Sequence, residues 1–263
     1  MKYGFIGLGN MARAITQGMA ASGNFEKGSI LGFNRNALTT EKLRDSIGLV
    51  PCLNSAELME KSDVVVLSVK PQVLPEIMDA VAAGCKGKLI LSIAAGKTLS
   101  WYEERLPEGT PIIRIMPNIN ARVGASMSAI CGNKFVTPEQ IEIAKKIFAS
   151  VGKVYELSET MFPAFSAICG ASGAFVLLYI DALAEAGVRA GFKRTLAEEF
   201  AVGTVLGSAL LKEKTGEHPI ALMDSICSPG GTTIEGVLKL KELGFESAVQ
   251  QGVNAIIEKD RKI

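Results

Sequence analysis

Apolar residues in the first part of the chain come in short unbroken runs: YGFIG at 3–7, SILGF at 29–33, DVVVLSV at 63–69, KLILSIA at 88–94 and PIIRIM at 111–116. Most of the intervals between them repeat their apolar residues every three to four positions, as amphipathic helices do. A strand that is apolar on both faces is one covered on both sides. Such strands separated by helices therefore predict a mostly parallel sheet with helices packed over each face. A last unit follows, with a strand at 126–130, a helix at 138–150 opened by Thr137-Pro138, and a strand at 153–157.

After residue 158 the strand pattern stops, and helical patterns run over 158–167, 173–191, 196–214, 220–226, 233–243 and 245–259. The change predicts two domains, an α/β doubly wound domain over 1–157 and an all-α domain over 158–263. The segment 173–191 is apolar around much of its circumference, more than one small domain can cover, and this calls for a second subunit against it. The uncharged stretch 160–180 has the length of a bilayer span. Pro163, Gly170 and Gly173 interrupt it, and acids, Glu159 and Asp181, flank it instead of basic residues. It is read as a buried helical region, with no membrane partner expected.

The first strand runs into Gly7-Leu8-Gly9-Asn10-Met11-Ala12, which opens the first helix. That is the setting a G-x-G-x-x-G/A fingerprint requires: glycines for a tight turn and for close approach of a pyrophosphate to exposed helix amides. The domain is accordingly expected to be Rossmann-type, with Ile6, Gly7, Leu8, Gly9, Asn10 and Met11 against a dinucleotide. The second strand ends in Asn34-Arg35 with no acid to take ribose hydroxyls. An arginine there suits the 2′-phosphate, so NADPH is expected over NADH, with NADH still possible. Strand ends at Val69-Lys70-Pro71, Ala94-Ala95 and Met116-Pro117-Asn118 should border the same ligand. Asn54 is placed with this cofactor-binding set.

Twenty-eight basic residues against 27 acidic ones leave a net charge of +1 without any basic cluster, so nucleic acid is not an expected partner. Five scattered cysteines, no C-x-x-C pair and one histidine cannot assemble an ordinary metal site, and they fit a reducing cytoplasm. The N-terminal stretch lacks the pattern of a secretion signal. His218, the single histidine, reads as a loop residue ahead of a helix. At 228–236 the sequence SPGGTTIEG opens another helix. Thr232 and Glu235 have capping-box spacing, but the box leaves the Gly230-Gly231 pair unexplained.

FIGLGNMARAI, DVVVLSVKPQ, SIAAG, RIMPN, YIDALAEAGVRAGF and above all DSICSPGGTTIEGV resemble the pyrroline-5-carboxylate reductase family over nearly the whole chain. The resemblance implies an NAD(P)H-dependent reductase acting on the C=N bond of 1-pyrroline-5-carboxylate, giving L-proline. It further implies a homodimer made by the helical domain that assembles into a larger homo-oligomer. Gly231, Thr232 and Thr233 would offer amides to the substrate carboxylate, with Ser228 beside them and Thr233 adding its hydroxyl as the positioning and polarising group. Glu159 aligns approximately with an acid bordering the ligand. No general acid is assigned, because the imine can arrive protonated. Where the family usually reads SGSGPAY this chain has CGASGAF at 169–175, and where it often reads MPNTP it has MPNIN at 116–120. A reductase of another cyclic imine acid and a non-catalytic NADP-sensing relative remain open. A β-hydroxyacid-type dehydrogenase would want a lysine on the long helix, and 173–189 has none.

Overall fold

In the computed structural model, which describes residues 1–260, the first part of the chain runs β1 (Tyr3–Ile6), α1 (Asn10–Ala21), β2 (Ile30–Phe33), α2 (Ala37–Ile47), β3 (Val50–Pro51), α3 (Ser55–Lys61), β4 (Val64–Leu67), α4 (Leu74–Gly84), β5 (Leu89–Ser92), α5 (Leu99–Glu103), β6 (Ile112–Met116), a 3-10 turn (Ile119–Val123), β7 (Ser126–Gly132), α6 (Pro138–Ala149) and β8 (Gly152–Glu156). The strands form one sheet in the order β3-β2-β1-β4-β5-β6-β7-β8. Every neighbouring pair is parallel except β6 with β7. The chain order reverses direction across β1 and β4, so a crevice is expected beyond their carboxyl ends.

The unbroken apolar runs have a direct structural cause. Phe5, Val64, Val66, Leu89 and Leu91 enter one buried cluster with Ile15 of α1 and Ile147 and Phe148 of α6. Their alternating neighbours Ile6, Val65, Leu67 and Ile90 enter a second cluster with Leu58 of α3, Met78 of α4 and Tyr102 of α5. Alternation places successive side chains on opposite faces, and both faces are covered. Local signals set the ends: Thr137 and Gln140 close a reciprocal capping box on α6, with Pro138 beside the cap. β3 and α5 were not legible as elements. β3 is two exposed residues, one of them Pro51, and five-residue α5 is too short to show a period.

From residue 159 the helical run is continuous but irregular: a 3-10 turn (Glu159–Met161), α7 (Phe162–Phe165), a π-helical turn (Ser166–Ala171), then α8 (Gly173–Arg189). α9 (Arg194–Thr215), α10 (Pro219–Ile226), α11 (Thr232–Glu242) and α12 (Phe245–Asp260) follow. Two compact units divide at Gly170/Ala171. The change in secondary structure near 158 and this division bracket a segment held by polar ties to the sheet-bearing unit, described below. Among the described residues of the helical unit the fully buried apolar cluster is three alanines, Ala184, Ala197 and Ala201, with partly buried Ile180 and Leu183 packed against it. Leu177 and Leu178 of α8 are 67% and 69% exposed, and Phe200, Val202 and Leu206 of α9 are exposed as well. One helical run among the described residues, Glu159–Arg189, is long and apolar enough to cross a membrane.

Tyr102 is fully buried, and its hydroxyl meets Ser92 Oγ at 2.5 Å. Burial pushes its pKa up to about 12. In the unfolded chain the phenol ionises near its ordinary value of 10, so native stability is expected to fall as the pH climbs from 10 toward 12. Tyr102→Phe should flatten that alkaline limb while costing about 0.5–1.5 kcal/mol near neutrality. Denaturant melts between pH 7 and 11.5 measure both.

Candidate functional site

The turn after β1 is shaped around an absent side chain. Gly7 has φ +94°, and a Cβ there would stand 2.8 Å from Val69 Cγ1 and 3.0 Å from the Ser68 carbonyl oxygen. Ser68 Oγ donates to Gly7 O at 2.6 Å, and Leu8 N donates to Asn34 Oδ1 at 3.1 Å. Two neighbouring strand ends thus pin the loop. Gly9 then serves as the extended N-cap of α1, with no side chain accepting from the first-turn amides and no acid in that turn. A Cβ on Gly9 would meet nothing within 4 Å, so the space before these amides is open. Open space, exposed amides and the positive end of a helix dipole fit the pyrophosphate of a dinucleotide.

The remaining cofactor-site residues divide by how they are engaged. Asn34 is a loop-positioning group: its Oδ1 takes the Leu8 amide and its Nδ2 donates to Asn36 O at 3.1 Å. Arg35 is exposed and ion-pairs with Glu76 of α4, Nη2 to Oε2 at 3.0 Å. Such an exposed pair contributes about 0–1 kcal/mol, so a stronger anion can replace it. Asn54 caps α3, its Oδ1 accepting from Glu57 N at 2.9 Å, which leaves its amide group as the donor for a ligand. Lys70 and Ala95 are exposed, while Pro71, Val69, Met11 and Met116 are half-buried and Ile6, Leu8 and Ala94 are buried. Asn10 accepts from Arg13, and both line a polar cavity of about 350 Å3 along α1 with Gln17 and Arg122.

Asn118 and Glu159 are engaged elsewhere in the same unit. Asn118 is buried, its Oδ1 accepts from Met127 N, and its Nδ2 donates to Cys169 O at 2.7 Å within the π-helical turn. A π turn leaves carbonyls without ordinary i+4 partners, and this side chain satisfies one. Glu159 Oε1 accepts from Arg114 Nη1 at 2.9 Å and from Leu99 N at 2.8 Å. The Arg114 guanidinium also lies 4.6 Å from the Phe162 ring. Glu159 is therefore a clasp between the sheet and the start of the helical run. Arg114 was missed from sequence, although a charge in the middle of PIIRIM was the available signal. Burial pushes up the nearby Cys131 thiol, and the Glu159 charge adds to that.

In the helical unit Ser228-Pro229-Gly230-Gly231 forms a tight turn, with Gly230 at φ +68° and Gly231 N donating to Ser228 O at 3.0 Å. Proline at the second position and a positive-φ glycine at the third are what a type II turn requires. A Cβ on Gly231 would collide with Ser228 Oγ. The capping-box reading is corrected: Gly231 is the N-cap, no side chain caps the helix, and α11 begins at Thr232. The turn delivers the chain into the helix one residue earlier than a threonine cap would. The Gly231 amide donates to Ser228 O, and the first-turn amides from Thr232 onward are without a helical acceptor. Thr232, Thr233 and Ser228 are exposed. His218 caps α10 through Nδ1, which accepts from Ile220 N at 3.3 Å.

Residues 159–263 match the family model described as pyrroline-5-carboxylate reductase dimerisation, and residues 2–96 match NADP oxidoreductase coenzyme F420-dependent. A pyrroline-5-carboxylate reductase of Synechocystis is 38% identical over 263 residues, spanning 100% of this chain and 98% of the relative. One from Escherichia coli matches with the same identity and coverage. Among solved structures, a Plasmodium falciparum pyrroline carboxylate reductase with NADP bound superposes with a TM-score of 0.89 at 29% identity, covering 100% of this chain and 97% of that one. A Coxiella burnetii pyrroline-5-carboxylate reductase gives 0.95 at 28% identity, covering 99% and 97%.

Two substitutions probe the local geometry. Gly7→Ala should weaken NADP(H) binding at least tenfold, because the added carbon strains a positive φ and presses on Ser68 and Val69; quenching of protein fluorescence by NADPH reads this. Glu159→Ala leaves the buried Arg114 side chain without its carboxylate and should lower unfolding free energy by about 2–4 kcal/mol in urea titration.

Proposed function

The chain belongs to the pyrroline-5-carboxylate reductase family, and we propose that it draws hydride from NADPH in preference to NADH and seats its substrate at the open first turn of α11. Reduction of 1-pyrroline-5-carboxylate to L-proline is the activity that membership carries. The observation that bears most weight is the pair of uncapped glycine-led helix starts, α1 and α11. Each suits an anion, and the reaction has two: a dinucleotide pyrophosphate and an imino-acid carboxylate.

Bound NADPH supplies the hydride, and Gly7, Gly9, Asn10 and Met11 would hold its pyrophosphate, with Arg35 and Asn54 toward the adenosine end. Thr232 and Thr233 take the substrate carboxylate through their amides, and the Thr233 hydroxyl adds a directional contact. Ser228 is set at the turn by the Gly231 bond and borders the same opening. Fixing the carboxylate fixes the ring, so the C=N carbon needs only one orientation to accept hydride. The imine nitrogen enters protonated, which raises the electrophilicity of that carbon without a protein acid. Glu159, committed to Arg114, anchors the segment that follows it.

The helical face around Leu177, Leu178, Val202 and Leu206 is taken to close against a second copy of the chain, supported by the match of this region to a dimerisation model. The exposed apolar run of α8 is thus given to protein and not to lipid. A reducing cytoplasm is supported by five cysteines standing as free thiols. The departures at 169–175 make another cyclic imine acid the second reading. Steady-state oxidation of NADPH at 340 nm, with pyrroline-5-carboxylate beside piperideine carboxylate, separates them: the five-membered ring should be the better substrate by kcat/KM. Faster turnover of the six-membered ring would reverse the assignment. Thr233→Ala should raise KM for the imino acid about tenfold or more while leaving the NADPH Kd unchanged.

A further inference from the structure

The guanidinium that would grip a 2′-phosphate is already occupied. Arg35 Nη2 is 3.0 Å from Glu76 Oε2, and the two residues come from different elements, the end of β2 and the first turn of α4. Both side chains are more than half exposed, 69% and 61%, so the carboxylate is wet and free to move but stays beside the phosphate-binding group. A 2′-phosphate carries about −1.5 to −2 charge at neutral pH. Seated on Arg35, it would find Glu76 within one side-chain length, with both anions sharing one cation. Coulomb repulsion between charges about 4–6 Å apart survives even in water. A ribose bearing only hydroxyls meets no such opposition.

We propose that Glu76 is a specificity-determining residue that competes with the 2′-phosphate for Arg35 and holds the discrimination between NADPH and NADH below what Arg35 alone would give. This rests on the NADPH reading above. Glu76 has a second, purely structural use, since an acid in the first turn of α4 complements the helix dipole. The two roles predict opposite consequences for removing the charge. As a helix-start acid alone, Glu76→Gln lowers stability and leaves nucleotide affinity unchanged or weaker. As a competitor, it lowers stability slightly and tightens binding of the phosphorylated ligand.

The test is equilibrium binding, by calorimetry or nucleotide fluorescence, of NADPH, NADH, adenosine 2′,5′-bisphosphate and AMP to the wild-type protein, Glu76→Gln, Arg35→Ala and the double variant. Glu76→Gln should tighten NADPH and adenosine 2′,5′-bisphosphate by roughly threefold to tenfold. The NADPH:NADH affinity ratio should rise by the same factor, and AMP should shift by less than about twofold. In the Arg35→Ala background the same change should lose most of its effect, because there is no cation left to compete for. Unchanged or weaker bisphosphate binding by Glu76→Gln, with Arg35→Ala still weakening NADPH, overturns the competition and keeps the NADPH reading. An Arg35→Ala protein that binds NADPH as tightly as wild type overturns both.

Discussion

Amide groups at the start of a helix have no partner within the helix, and this chain either caps them with a side chain or leaves them open. α2, α3, α5, α6 and α10 receive a side chain on those amides, from Asn36, Asn54, Thr98, Thr137 and His218. α1 and α11 instead start from Gly9 and Gly231, each extended and each without a side-chain cap. A glycine cap gives up a hydrogen bond that serine or asparagine would make. What it offers is access for an anion, and both positions lie in sequence stretches whose backbone is otherwise tightly specified, by Gly7 on one side and the Ser228–Gly231 turn on the other.

Much of this was legible in the sequence because its causes are local. Five strands showed as unbroken apolar runs since each is buried on both faces, and the glycine loop showed because backbone approach leaves no substitute for glycine. What escaped reading depended on distant partners. The sequence did not show that the Glu159 carboxylate takes Arg114 and the Leu99 amide, both far off in sequence. Asn118 resembled a cofactor contact at a strand end, and its side chain is tied to Met127 and Cys169. The capping box had the right letters in the wrong register, because one hydrogen bond from Gly231 to Ser228 moved the helix start.

Those long-range ties share a purpose visible in the segment from Glu159 to Gly170. It is helical in composition but belongs with the sheet-bearing unit, held at one end by Glu159 and at the other by Asn118. Between the anchors the chain changes from 3-10 to α to π geometry. The irregular turns absorb the difference between where the two ties fix the backbone and where a regular helix would put it. The altered residues at 169–175 begin inside this π turn.

The three-alanine core of the helical unit has a thermodynamic corollary. So little buried surface offsets only a small part of the entropy lost in ordering α8 to α12, so the exposed apolar faces of α8 and α9 are where added cover would stabilise this half most. The sheet-bearing unit, with two full clusters of its own, carries no such deficit.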